Sequence, residues 1–190
     1  TALASASGVR VSLGPSAASY DQAMAAIKAG AVGTTHIMNA MKLMHMHDPA
    51  ILTAVLESDV HAEMICDGIH LHAPIVRFLV KAKGHDRMIA VTDSIMAAGC
   101  PDGEYVLGPN AIVVEHGDAK VIGNGARAGS TLTMDRALRN LVSFTGEDLG
   151  RLAPLMAANA ADMLGLSHQV GSFSLGKRAD AVVLDEALEV

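Results

Sequence analysis

The sequence predicts an α/β protein built as part of a (β/α)8 barrel, and three features carry that expectation. Short apolar strands alternate with amphipathic helices about four times, the pattern of a parallel sheet covered by helices. The polar residues with chemical capacity fall just after the strands' C-terminal ends, where such barrels hold their sites. Of the 190 residues, 51% are hydrophobic and 18% charged, enough apolar material to bury a sizeable core.

Val9–Leu13 alternates like a short strand and runs into Gly14-Pro15-Ser16. Ser19-Tyr20-Asp21-Gln22 is a capping box, so a helix should follow, with Tyr20, Met24 and Ile27 on one face and Gly30 placed to end it. Thr34–Ile37 reads as a second strand, and a Met/His-rich loop then runs from Asn39 to Pro49. Ile51, Leu52, Val55 and Leu56 predict the next helix, and Ala62–Cys66 a strand reaching Asp67-Gly68. Pro74 suits the first position of a further helix, whose apolar stripe is Ile75, Phe78, Leu79 and Ala82 and which Gly84 closes. Met88–Val91 is a continuous apolar strand ending at Thr92-Asp93.

Between Gly103 and Gly125 the pattern changes to short β segments, Tyr105–Leu107 and Ala111–Val114, with Gly117-Asp118 and Gly123-Asn124-Gly125 as turns. Helical periodicity resumes with Met134, Leu138, Leu141 and Val142, then with Leu152, Leu155, Met156 and Met163 before Gly165. Ala181–Leu184 reads as a buried strand. The expected organisation is therefore a barrel portion over 1–165, with a β insertion at about 103–125, and C-terminal strands of a small β domain over 166–190.

Composition narrows the function. A net charge of −6 and the lack of any lysine or arginine run argue against nucleic acid or an anionic membrane as partner. An anionic ligand would need a local cationic pocket. Aromatic residues make up 3% and Trp is absent, so stacking platforms are scarce. Cys66 and Cys100 lie far apart and form no metal or disulfide pattern, so buried, reduced thiols are expected, and the 11 methionines read as core filler. No apolar run approaches the roughly 18 residues of a membrane span and no signal-peptide succession opens the chain, so a cytoplasmic protein is expected.

Several of these segments carry a resemblance. Val11–Ser16, Ala29-Gly30-Ala31, Thr35–Met41, Asp67-Gly68-Ile69-His70, Val91–Ser94, Ala97-Ala98-Gly99, Asp102–Tyr105 and Ala128–Asp135 follow the order and spacing of the N-acetylglucosamine-6-phosphate deacetylases. Gly171–Gly176 with Ala179–Asp185 resembles a terminal signature shared more widely among amidohydrolases. The likeness covers nearly the whole chain and places it as the C-terminal part of a TIM-type metallo-hydrolase barrel with a small appended β domain. It implies a hydrolase that removes the acetyl group of N-acetylglucosamine 6-phosphate with a metal-activated water, giving glucosamine 6-phosphate and acetate.

The resemblance also implies roles. A divalent metal, commonly zinc, is held in the family by a glutamate on an earlier strand and two histidines; His36 matches the second histidine. Asp93 matches the aspartate that takes the water's proton and returns it to the departing amine. His70 matches the histidine that polarises the scissile carbonyl, and Asn39 and Ala40 line the phosphosugar site. An arginine near the phosphate is replaced by His45 or His47, of which His47 is taken as the substrate contact. The resemblance further implies a homodimer. Two departures leave alternatives open: Pro15 stands where the family has a histidine, and the glutamate ligand would lie before Thr1. A sugar-phosphate-binding homologue with impaired chemistry, or an amidohydrolase of another amide, would also fit. Of the remaining groups, Asp67 is expected to cap its loop, Gly129 to allow close backbone approach, and His61, His85, His116 and His168 to lie on the surface.

Overall fold

Four parallel strands lie side by side in the order in which the chain makes them: β1 (Val11–Leu13), β2 (Ala31–Thr34), β3 (His61–Ile65) and β4 (Met88–Val91). The computed structural model describes residues 1–190. A short opening helix, α1 (Ala2–Ala6), precedes the sheet, and parallel neighbours need crossovers, supplied by α2 (Tyr20–Lys28), α3 (Ala50–Glu57) and α4 (Ala73–Lys83). Three further helices, α5 (Met134–Thr145), α6 (Leu149–Met156) and α7 (Ala158–Leu164), follow a separate antiparallel ribbon of β5 (Gly103–Leu107), β6 (Asn110–Glu115) and β7 (Asp118–Val121). The expected α/β class is present, and the short β segments read from the sequence at 105–107 and 111–114 lie in β5 and β6.

Local chemistry explains most boundaries. Ser19 caps α2 with the full reciprocal box to Gln22, and Gly30, at φ +101°, turns the chain into β2. Gly33 is the residue that lets β2 lie against α7, since a Cβ there would sit 2.5 Å from the Met163 sulfur. Strands buried on both faces read as apolar runs, as β4 does, whereas β3 interrupts the run with His61 and Glu63. The main core fills the space between sheet and helices with fully buried Ile37, Leu52, Met64, Leu79, Met88, Leu141, Leu152 and Leu155.

Several expectations need correction. The second strand starts earlier and stops at Thr34, so His36 lies in the turn beyond it at φ +20° rather than within the strand. The buried stripe of α4 runs through Val76, Leu79, Val80 and Lys83, leaving Phe78 exposed; Lys83 is drawn inward because its ammonium donates to the carbonyls of Val55 and Ser58 at the end of α3. Pro74 is the second residue of α4, one later than expected. His61 is buried at the start of β3, with Nε2 3.4 Å from the Asp162 carboxylate, and burial pulls its pKa below the usual value. Cys100 is exposed, whereas burial pushes the Cys66 thiol up to about 12 and leaves it inert. Residues 166–190 form no strand. Val182 and Val183 are 71% and 84% exposed, because a strand needs a pairing neighbour and none in this chain lies beside them.

Candidate functional site

The C-terminal ends of the four strands open onto one cavity of about 630 Å³, lined by Pro15, His36, Asn39, Ala40, Ile65, His70, Asp93 and Gly129 from the sheet side. Lys120, Gly125, Ala126 and Arg127 reach it from the ribbon. Five of the six residues expected to carry function, His36, Asn39, Ala40, His70 and Asp93, are thus brought together. His47 is not. It sits on a tight turn closed by the His45–Asp48 backbone pair, with Lys42 holding Asp48, and its ring packs beside that of His45 at 5.5 Å, away from the cavity.

The turn after β2 is strained at three places: His36, Met38 and Ala40 take φ of +20°, +73° and +53°. Ile37, fully buried, fastens it by donating its N–H to the Glu63 carbonyl on β3 at 2.7 Å. Asn39 closes the turn through its amide to the Ile37 carbonyl at 3.3 Å. The consequence is an imidazole held at the cavity, with a buried Nδ1 that has no partner. Such an orphan nitrogen costs free energy unless something occupies it.

Asp93 also has positive φ, at +49°. Its backbone is gripped from the side by the segment before α5: Ser130 N donates to the Asp93 carbonyl at 2.8 Å, and Ile95 N to the Ser130 carbonyl at 2.9 Å. Ser94 and Ser130 hydroxyls complete the lacing, bonding the carbonyls of Leu132 and Thr92. Gly129 makes this approach possible, because a Cβ there would lie 2.8 Å from the Asp93 carbonyl oxygen. The close approach expected at Gly129 is therefore present, and it is directed at Asp93.

His70 is set by Asp67. One carboxylate oxygen of Asp67 accepts from the backbone N–H groups of Ile69 and His70 at 2.8 and 2.7 Å, the loop cap that was expected. The other meets His70 Nδ1 at 2.5 Å, with both side chains only 8% exposed. Burial alone would raise the Asp67 carboxyl, but the bonds from His70 and Ile69 hold it below the usual carboxylate range. Asp67 therefore orients the ring as well as the loop, a role that the sequence signals only by the D-x-x-H spacing.

Glu63, midway along β3, was missed altogether. Burial pushes its carboxyl above the usual range, His36 pulls it back, and the nearby Asp93 adds to the rise, so Glu63 lies within electrostatic reach of both. The signal available was a single charged residue in an otherwise apolar strand, Ala62-Glu63-Met64-Ile65.

A parallel sheet with its polar groups gathered at the strands' C-terminal ends is the working end of a TIM-type barrel, of which this chain forms part. The chain belongs to the amidohydrolase family, whose family model matches residues 4–189. It is 41% identical to an N-acetylglucosamine-6-phosphate deacetylase of Lysinibacillus sphaericus over 97% of this chain and 47% of that protein. It is 39% identical to an N-acetylgalactosamine-6-phosphate deacetylase of Escherichia coli over 96% of this chain and 48% of that protein. Among solved structures, a mutant N-acetyl-D-glucosamine-6-phosphate deacetylase of Mycobacterium smegmatis in complex with N-acetyl-D-glucosamine-6-phosphate matches at TM-score 0.93 and 38% identity, over 98% of this chain and 50% of that one. The chain spans about half the length of the curated relatives it matches. No helix is long and apolar enough to cross a membrane.

Deacetylases of this family depend on a divalent metal. The orphaned His36 nitrogen and the Asp93 carboxylate fit part of such a site. No group of three or more His, Cys, Asp or Glu side chains in this chain can close around an ion, and proline at 15 offers no lone pair.

Proposed function

We propose that the protein containing this chain hydrolyses the acetamide of N-acetylglucosamine 6-phosphate, yielding glucosamine 6-phosphate and acetate. The observation that carries this reading is that His36, His70 and Asp93 line a single cavity at the strand ends. A divalent cation, zinc in the finer reading, would be held in part by His36 and would supply the activation of the attacking water. Asp93 takes the proton from that water as the new C–O bond forms, then delivers it to the nitrogen as the C–N bond breaks, so one carboxylate serves both transfers. His70, with Nδ1 committed to Asp67, turns Nε2 to the acetamide carbonyl, where negative charge develops. The strained turn at Asn39 and Ala40 borders the sugar.

The galacto epimer is a second reading, because the relative named for N-acetylgalactosamine 6-phosphate is nearly as similar, at 39% against 41%. Assembly as a homodimer and a cytoplasmic location belong to the same proposal. The test is acetate release by the purified full-length protein, offered both epimers, alongside metal content of the wild type and H36A. We expect acetate from at least one epimer and a metal stoichiometry that falls in H36A. No acetate from either, with metal-replete protein, overturns the reading.

A further inference from the structure

We propose that Glu63, on β3, is a positioning residue for His36: from beneath the cavity floor it holds the strained turn after β2 and aims the imidazole at the cavity. This rests on the reading above that His36 helps to hold a divalent cation, and it adds what keeps that ligand in place. Ala62, Met64 and Cys66 belong to the buried core, so the alternation of a strand turns Glu63 and Ile65 to the opposite face. Ile65 borders the cavity, and Glu63 does not. Glu63 lies two residues earlier, about 7 Å lower along the strand, and so acts on the site only through the residues above it.

Three successive N–H groups show how the turn is held. Thr35 donates to the Leu13 carbonyl on β1 at 3.0 Å, and Ile37 to the Glu63 carbonyl on β3 at 2.7 Å. The N–H between them, that of His36, has no backbone acceptor. The Glu63 carboxylate is the group that meets it: burial pushes this carboxyl above the usual range, and the His36 ring and backbone N–H draw it back. One residue thus grips two consecutive N–H groups, Ile37 through its main chain and His36 through its side chain. The grip is needed, because His36 at φ +20° and Met38 at φ +73° take conformations that persist only where the surroundings impose them.

The surroundings of the carboxylate point the same way. A half-buried carboxyl loses hydration that only polar neighbours restore, and no lysine or arginine supplies it here. The charged groups that act on it are His36 and Asp93, both of which line the cavity. A carboxylate behind a ligand histidine fixes the ring's orientation and strengthens it as a donor to a cation. With Pro15 where the family has a histidine, more of the hold on the cation falls on His36, and so on the residue that keeps it aimed.

The experiment compares full-length wild type, E63A and E63Q, with E115A on the ribbon as a control, by amide hydrogen exchange without added metal and by zinc titration against a chelator. E63A should speed exchange of the 35–38 segment about 10-fold or more while exchange of β3 changes by less than about 2-fold, since the lost hold is local. Its zinc affinity should fall about 10- to 100-fold. E63Q keeps an acceptor for the His36 N–H but carries no charge, so the 35–38 segment should stay near wild type while zinc affinity falls about 3- to 10-fold. E115A should match wild type in both. If E63A does not fold, E63Q carries the test, a loss in zinc affinity of about 3-fold or more supporting the assignment. Zinc affinity within about 2-fold of wild type in either variant, or faster exchange spread equally over β3 and the turn, overturns it. If wild type binds no zinc, the cation reading falls and exchange alone decides whether Glu63 holds the turn. Both readouts are taken without substrate, so absence of acetate release in wild type removes the deacetylase reading and leaves this assignment standing.

Discussion

The strand ends of the parallel sheet and the antiparallel ribbon face the same cavity but hold their groups in opposite ways. At the strand ends backbone and loop are fixed by largely buried bonds: Asp67 locks the His70 ring, the segment at Ser130 grips the backbone of the exposed Asp93, and buried Ile37 pins the His36 turn. On the ribbon, Lys120 and Arg127 stand 40% and 47% exposed and are ordered by ion pairs to one carboxylate. Buried fixation suits atoms that must meet a reacting centre within a fraction of an ångström, whereas an exposed cationic pair supplies attraction that tolerates movement. Substitutions at the strand ends should therefore depress turnover.

The largest expected effect is at Asp93. D93N should lower kcat by about 10²- to 10⁴-fold, the range for a lost proton carrier, with glucosamine 6-phosphate binding retained. Next is D67N, which leaves His70 in place without its orienting carboxylate and should cost about 10- to 100-fold in kcat. D67N also has a pH signature. Because the folded-state pKa of Asp67 is depressed, its stabilisation is complete above the unfolded value near 3.8 and is lost as pH falls through the lower folded value. Acid unfolding followed by circular dichroism should lose that part of its pH dependence in the variant.

G129A should cost about 1 to 3 kcal/mol of stability, since the new Cβ meets the Asp93 carbonyl at 2.8 Å and the backbone is at φ +68°. Thermal unfolding measures this, and kcat should fall with it while KM holds. The smallest effect is expected from K42A, which breaks an exposed pair on the His45–His47 turn and should change kcat/KM by less than about 2-fold. A large effect there would return that turn to the site and erase the contrast between the two regions.

Much of the sheet was legible because its signals are local. The Ser19–Gln22 box, the Gly30 stop and the run Met88–Val91 each specify a boundary within a few residues. Placement of His36, His70 and Asp93 at strand ends followed from the alternation together with the family likeness. What sequence did not disclose is contact between distant segments. Lys120 and Arg127 became neighbours only through ribbon pairing, and the four residues of β7 were hidden between two turn signals. The burial of Lys83 depends on carbonyls more than twenty positions upstream. At 181–184 the apolar composition predicted a strand that the structure does not form, because pairing is a property of neighbours and not of the segment itself.

The central claim is that Asp93 works on a substrate held in the cavity that His36 and His70 also line. The most direct measurement is single-turnover acetate release by full-length wild type and D93N at saturating N-acetylglucosamine 6-phosphate, with product affinity measured in parallel. Release slowed about 10²-fold or more with affinity intact is the predicted result. Equal rates for the two proteins would contradict it.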